Sequence, residues 1–149
     1  MAGNDSADDD DTHPASHERF MRRCIAMARA AGARGDTPVG ALIVRDGRPI
    51  AGGGEQTPTG LDITAHAEIV AIRRASRALG SVDLRACTLY TTAEPCFMCS
   101  HAIRDARIWR VVMGARTPNV GCVSSAYPIL SAADITPWAP RPQSSSGMS

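Results

Sequence analysis

Apolar positions recur along this chain in two periods, and their alternation predicts the elements. From Ala15 to Ala33, Phe20, Met21, Cys24, Ile25 and Ala28 fall on one helical stripe, which Gly32 and Gly35 end. From Gly40 to Arg45 the run Ala41-Leu42-Ile43-Val44 reads as a buried strand. Asp46-Gly47 is a strong hairpin-turn signal before a returning strand that begins over Pro49 to Gly52. The triplet Gly52-Gly53-Gly54 permits close approach of neighbouring groups. A loop follows from Glu55 to Thr64. The spacing then predicts a helix over 65–79, with Ile69, Val70, Ile72 and Leu79 inward and Arg73, Arg74 and Arg77 outward. A strand is expected over Thr88–Thr92, a helix over Cys96–Ala106, and a strand over Ile108–Gly114 centred on Val111 and Val112.

This order predicts an α/β fold with helices packed on the faces of a sheet. Beyond Gly114 the periodicity fades, and a fifth strand is not evident. Ser131 to Trp138 reads as irregular. Residues 1–14, with the run Asp8 to Asp11, are expected to be a disordered acidic tail, and Pro140 to Ser149 a disordered Pro/Ser-rich tail. One domain over residues 15–139 remains, and it holds no internal repeat.

Composition narrows the function classes. Apolar residues make up 44% and aromatic residues 4%, so the core relies on aliphatic side chains and alanine. The net charge of +1 gives no strong pull towards nucleic acid or membrane, and nucleic acid is not an expected partner. No apolar run reaches the roughly 18 residues of a membrane span. The acidic start lacks the pattern of a signal peptide, so a cytoplasmic location is expected. Five cysteines in such a compartment are expected to be reduced thiols, with Cys24 in the core.

The chemistry is concentrated in two short motifs, His66-Ala67-Glu68 and Pro95-Cys96-Phe97-Met98-Cys99. Together they read H-x-E…P-C-x-x-C, the spacing of zinc deaminases. One imidazole and two thiolates supply three zinc ligands and leave a fourth position for water. Cys96 and Cys99, at i and i+3, share a face at the start of a helix, where the N-terminus favours thiolate. His66 and Glu68 diverge by about 200° on a regular helix. His66 is therefore placed at the very start of its helix, so that both can face one point. A structural zinc site would need a fourth protein ligand. His101 points away from Cys99 on the same helix, and Cys87 lies at the far end of a strand.

With these residues in view, the chain resembles the cytidine deaminase superfamily, in particular bacterial tRNA adenosine deaminases and guanine/cytosine-type nucleobase deaminases. The likeness runs from about Phe20 to Arg116. It rests on Pro38-Val39-Gly40-Ala41, on Asp62-Ile63-Thr64-Ala65-His66-Ala67-Glu68-Ile69, on the segment from Leu89 to Cys99, and on that from Arg107 to Arg116. The resemblance implies a three-layer α/β/α fold with a mixed sheet of four to five strands. It implies zinc held by His66, Cys96 and Cys99, Glu68 as the proton shuttle, and a homodimer. Three features depart from the family pattern. Glu55 stands where members usually carry a substrate-binding Asn, Thr117 stands where tRNA deaminases usually have an acidic residue, and a basic C-terminal helix is not evident.

The expected function is zinc-dependent hydrolytic deamination of a small amino-heterocycle, nucleobase or nucleoside, with a guanine-like ring favoured. Adenosine-to-inosine deamination of tRNA is the alternative, and an inactive zinc-bound interaction module is the alternative of another class. Expected substrate-binding residues are Glu55, Ala67, Phe97 and Val39. A carboxylate at 55 only accepts hydrogen bonds, so it suits a ring N–H or a second amino group; the bland reading is a loop residue. Phe97 reads equally as pocket or core. Glu94 is expected to hold a backbone amide near the metal loop. Arg104, Arg107, Arg110 and Arg116 read as a solvated face, and His13 and His17 as surface residues.

Overall fold

A computed structural model describes residues 14–133 and 142–146. Four helices, α1 (Pro14–Ala33), α2 (Thr57–Gly60), α3 (Ala67–Leu79) and α4 (Phe97–Asp105), alternate with five strands. The strands are β1 (Gly40–Arg45), β2 (Arg48–Gly54), β3 (Cys87–Ala93), β4 (Arg110–Ala115) and β5 (Gln143–Ser146). The sheet order is β2-β1-β3-β4-β5. β1 pairs antiparallel with β2 and β3, whereas β3–β4 and β4–β5 are parallel.

The period-2 pattern of the strands makes two cores from one sheet. Ala41, Ile43, Leu89, Val111 and Met113 face α3 and α4, packed with Ile103 of α4 and its C-cap Ala106. Leu42, Val44, Tyr90 and Val112 face the other side, where Phe20, Met21 and Cys24 of α1 cover them. The result is the expected three-layer α/β/α arrangement. The glycine triplet lies within β2, between the two helical layers: a Cβ on Gly53 would stand 2.7 Å from Val70 of α3, and one on Gly54 2.9 Å from Ala31 of α1.

Several expectations are corrected. Gln143–Ser146 form a strand paired in parallel with β4, inside the stretch expected to be disordered. Four serine and glutamine residues carry no apolar period, so only the exposed edge of β4 supplies the reason for a strand. Residues 1–13, 134–141 and 147–149 lie outside the described residues, so the expectations for the acidic tail, for His13 and for half of the C-terminal tail fall there. Ile25, placed on the apolar stripe, is 37% exposed, while Phe20, Met21, Cys24 and Ala28 are buried. His17 is half-buried, with its Nδ1 2.7 Å from the Tyr90 hydroxyl, rather than a plain surface residue. Arg104 is not solvated. It is 2% exposed and donates to the carbonyls of Ile129 (3.0 Å) and Ala132 (2.5 Å).

The loop between β2 and α3 contains α2 and is tied down by Asp36. The Asp36 carboxylate accepts from Arg34 Nε (2.7 Å), Thr59 N (3.0 Å) and Thr59 Oγ1 (2.7 Å). Burial raises its pKa, but the Thr59 and Arg34 hydrogen bonds outweigh that and hold the carboxyl below its ordinary value. A depressed carboxyl stabilises the fold above its unfolded pKa, and that contribution disappears as pH falls through the folded one. Asp36→Asn is therefore expected to lower the melting temperature at pH 7 by roughly 2–6 °C. The two melting curves should converge in acid, and a gap independent of pH would refute the charge-based account.

Candidate active site

The two motifs meet because α3 and α4 both begin at one end of the sheet. His66 is the N-cap of α3, with extended backbone at φ −63° and ψ 154°, and Cys96 is the N-cap of α4 at φ −77° and ψ −178°. Two helix N-termini thus face one point and favour negative charge there. Glu68, one residue into α3, turns inward and is 4% exposed. Its Oε1 accepts from the Thr91 hydroxyl at 2.7 Å, and its Oε2 lies 3.0 Å from Cys99 Sγ. Thr91 belongs to β3 and sits on the same face as Leu89, so strand alternation aims it at Glu68.

His66 Nδ1 lies 3.5 Å from Cys96 Sγ and 3.6 Å from Cys99 Sγ. All three donor atoms fall within 4.8 Å of one another. Zinc bonds of about 2.3 Å to sulfur and 2.0–2.1 Å to nitrogen, at tetrahedral angles, require an N···S separation of about 3.6 Å. Both N···S separations match this value. Among the described residues no other His, Cys, Asp or Glu joins this group. His101 Nε2 instead lies 2.9 Å from the Asp105 carboxylate, and Cys87 is buried elsewhere. Three protein ligands with an open fourth position is the catalytic pattern rather than the structural one.

The thiols are polarised against each other. The hydrogen bond with Cys99 is the main reason that the Cys96 thiol is pushed down to about 5; burial opposes it, and the Cys99 N–H, His66 and the Met98 N–H assist. Cys99 is pushed up by the same bond first, then by burial and by Glu68. A cation between the sulfurs takes the place of the shared proton. Burial is the main cause that pushes Cys24 to about 12 and Cys122 to about 11, with the charges of Glu68 and Glu94 respectively adding to it, as inert core thiols behave.

A cleft of about 270 Å³ opens onto this group, and Val39, Glu55, His66, Ala67, Glu68 and Cys96 line it with Thr37, Thr57, Ala93, Glu94, Thr117 and Val120. Of the four expected substrate-binding residues, Val39, Glu55 and Ala67 are there. Phe97 is not. Its ring packs edge-on against Tyr127, at 6.0 Å and 85°. Glu55 is 4% exposed, and its carboxylate accepts from Thr37 N at 2.7 Å and from both the N–H and the hydroxyl of Thr57. Burial raises its pKa, but these bonds outweigh that and lower it. Three of about four lone-pair sites are thereby used. Glu94 is 4% exposed and holds backbone amides, as expected. Thr37, Thr57 and Val120 had no signal in the sequence, because they come from segments without a period, and Thr117 stood out only as a departure from the family pattern. Among the described residues no arginine lines the cleft.

The profile described as the cytidine and deoxycytidylate deaminase zinc-binding region matches residues 14–115. The chain belongs to this deaminase family. The deaminase is 48% identical over 111 residues to a tRNA-specific adenosine deaminase of Agrobacterium fabrum, covering 74% of this chain and 73% of the relative. It is 46% identical over 93 residues to the guanine deaminase of Bacillus subtilis, covering 62% and 60%. A solved structure from studies of A-to-I editing by tRNA:A34 deaminases at the wobble position of transfer RNA superposes with a TM-score of 0.80. The two are 43% identical, with 87% of this chain and 97% of that one covered. The deaminase is thus a zinc-binding hydrolase of C–N bonds. No helix among its described residues is long and apolar enough to cross a membrane.

Proposed function

We propose that this deaminase converts adenosine to inosine in a tRNA anticodon, with the target base swung out of the RNA into the cleft. The observation that carries the reading is the likeness to tRNA-specific adenosine deaminases over three-quarters of both chains. The cleft is consistent with it. At about 270 Å³ it is smaller than most drug-sized pockets and suits one heterocycle. The near-neutral net charge, which spoke against nucleic acid, sums two unlike regions. Residues 1–13 hold five aspartates, and the remainder carries sixteen arginines against ten carboxylates.

His66, Cys96 and Cys99 hold zinc in this reading, and zinc supplies Lewis acidity that brings water's pKa towards neutrality. Glu68 is the catalytic residue. Thr91 fixes its Oε1, and its carboxylate accepts the proton of the attacking water. It delivers that proton to the ring nitrogen beside the amino-bearing carbon, then serves the departing amine. Water's oxygen becomes the carbonyl, and ammonia leaves.

A second reading, a free guanine-like base, is supported by Glu55. Glu55 lines the cleft, with about one lone-pair site of its carboxylate left for a donor, and the guanine deaminase likeness is of similar identity over a shorter stretch. The two readings separate in one experiment. The purified protein is given an anticodon stem-loop with adenosine at the wobble position, free adenosine and guanine. Inosine in the stem-loop, formed faster than from free adenosine, is the expected result. Xanthine from guanine with no inosine in RNA would reverse the ranking.

A further inference from the structure

The segment after β4 supplies one wall of the cleft through Thr117 and Val120, yet it contains no helix or strand before β5 among the described residues. Two buried side chains of opposite charge hold it. At its start the Glu94 carboxylate accepts from Thr117 N (3.0 Å) and Ser124 Oγ (2.5 Å) on Oε1, and from Val123 N and Ser124 N (2.8 Å each) on Oε2. At its end Arg104 donates to the Ile129 and Ala132 carbonyls. An anion gathers N–H groups and a cation gathers carbonyls. Both come from the neighbourhood of α4: Glu94 stands two residues before the N-cap Cys96, and Arg104 lies in the last turn. Gly121 closes the first clamp, because a Cβ there would overlap the Glu94 carboxylate. The main-chain carbonyls add two further ties, Cys122 N to Pro95 O at 3.0 Å and Thr117 Oγ1 to Glu94 O at 3.2 Å.

We propose that Glu94 is a positioning residue for substrate recognition: by gathering the amides of Thr117, Val123 and Ser124 it sets where Thr117 and Val120 stand in the cleft wall. The inference rests on the cleft being the deamination site and not on which substrate enters it. Charge-assisted bonds to buried amides are stronger than neutral ones, so a single carboxylate can fix a segment that has no ladder of its own.

The test is Glu94→Gln. Its carbonyl can keep Val123 and Ser124, but its NH2 then meets the Thr117 N–H donor, so the loss falls on the residue that lines the cleft. Hydrogen exchange, zinc content and kinetics are measured together, with the anticodon stem-loop and free guanine as probes. For a probe that is not turned over, its dissociation constant replaces KM. Faster exchange confined to residues 116–125, zinc equal to the parent, and KM raised at least about tenfold with kcat within about threefold are expected. Gly121→Ala, which displaces the same carboxylate from the loop side, should give the same split. Unchanged exchange, unchanged KM, or loss of zinc in Glu94→Gln would each overturn the assignment. The last would make Glu94 a support of the metal loop instead. A parent enzyme that forms no inosine in the stem-loop would sink the tRNA reading alone, and the guanine arm would still decide the role of Glu94.

Discussion

Glu68→Ala is expected to lower kcat by about 10²–10⁴-fold while zinc content stays at one per chain. The argument is geometric. The carboxylate is buried beside the zinc donors, with Oε1 fixed by Thr91 and Oε2 against Cys99. Removing it takes away the only carboxylate that touches a zinc donor among the described residues. The structural cost is small, because the Thr91 hydroxyl still reaches Ala93 O at 2.9 Å and Cys99 still faces His66. A loss of activity with metal and melting temperature preserved therefore reports chemistry. Turnover within a few-fold of the parent would show that the proton moves by another route, and the mechanism above would be wrong. A module that only bound zinc to support an interface would have no use for a carboxylate in this place.

Removal of zinc has the other large expected effect. Cys99 is fully buried and lies against both His66 and Glu68. Cys99→Ala leaves two ligands, too few for a catalytic site, so activity should fall below detection and zinc should be absent by elemental analysis. Chelation of the parent should reproduce the loss, and readdition of about one equivalent of zinc should reverse it. A ligand bound only by the folded state at 1,000 times its Kd stabilises it by about 4 kcal/mol. For a chain of this size that corresponds to a drop in melting temperature on the order of 10 °C after chelation. Cys122→Ala is the control. That thiol is equally buried but outside the donor group, so the variant should lose some stability and keep its zinc. A Cys99→Ala protein that retained zinc and turnover would contradict the assignment of the ligands.

Much of the metal centre was legible in the residues because its parts are local. His66 and Glu68 are two apart, and Cys96 and Cys99 three apart. At a helix start each spacing has one geometric meaning, and both N-caps lie where those spacings put them. The apolar run Ala41–Val44 likewise announced a buried strand, while which of its side chains face α1 and which face α3 and α4 came from the packing. What the sequence could not decide was set by contacts between distant segments. Arg104 reads as a solvated helix residue until the segment at Ile129–Ala132 folds over it and gives its guanidinium two carbonyls. Phe97, next to a zinc ligand in the chain, is turned towards Tyr127 and away from the cleft. The strand Gln143–Ser146 exists because β4 offers an open edge, which a polar tetrapeptide does not announce by itself. The cleft's walls come from Thr37, Thr57, Thr117 and Val120, brought together by buried carboxylates that bind backbone amides. Periodicity reports only a residue's own element, so the His/Cys/Cys group and the carboxylate beside it could be read from the chain, whereas the shape of the cleft arose only when the loops closed on Glu55 and Glu94.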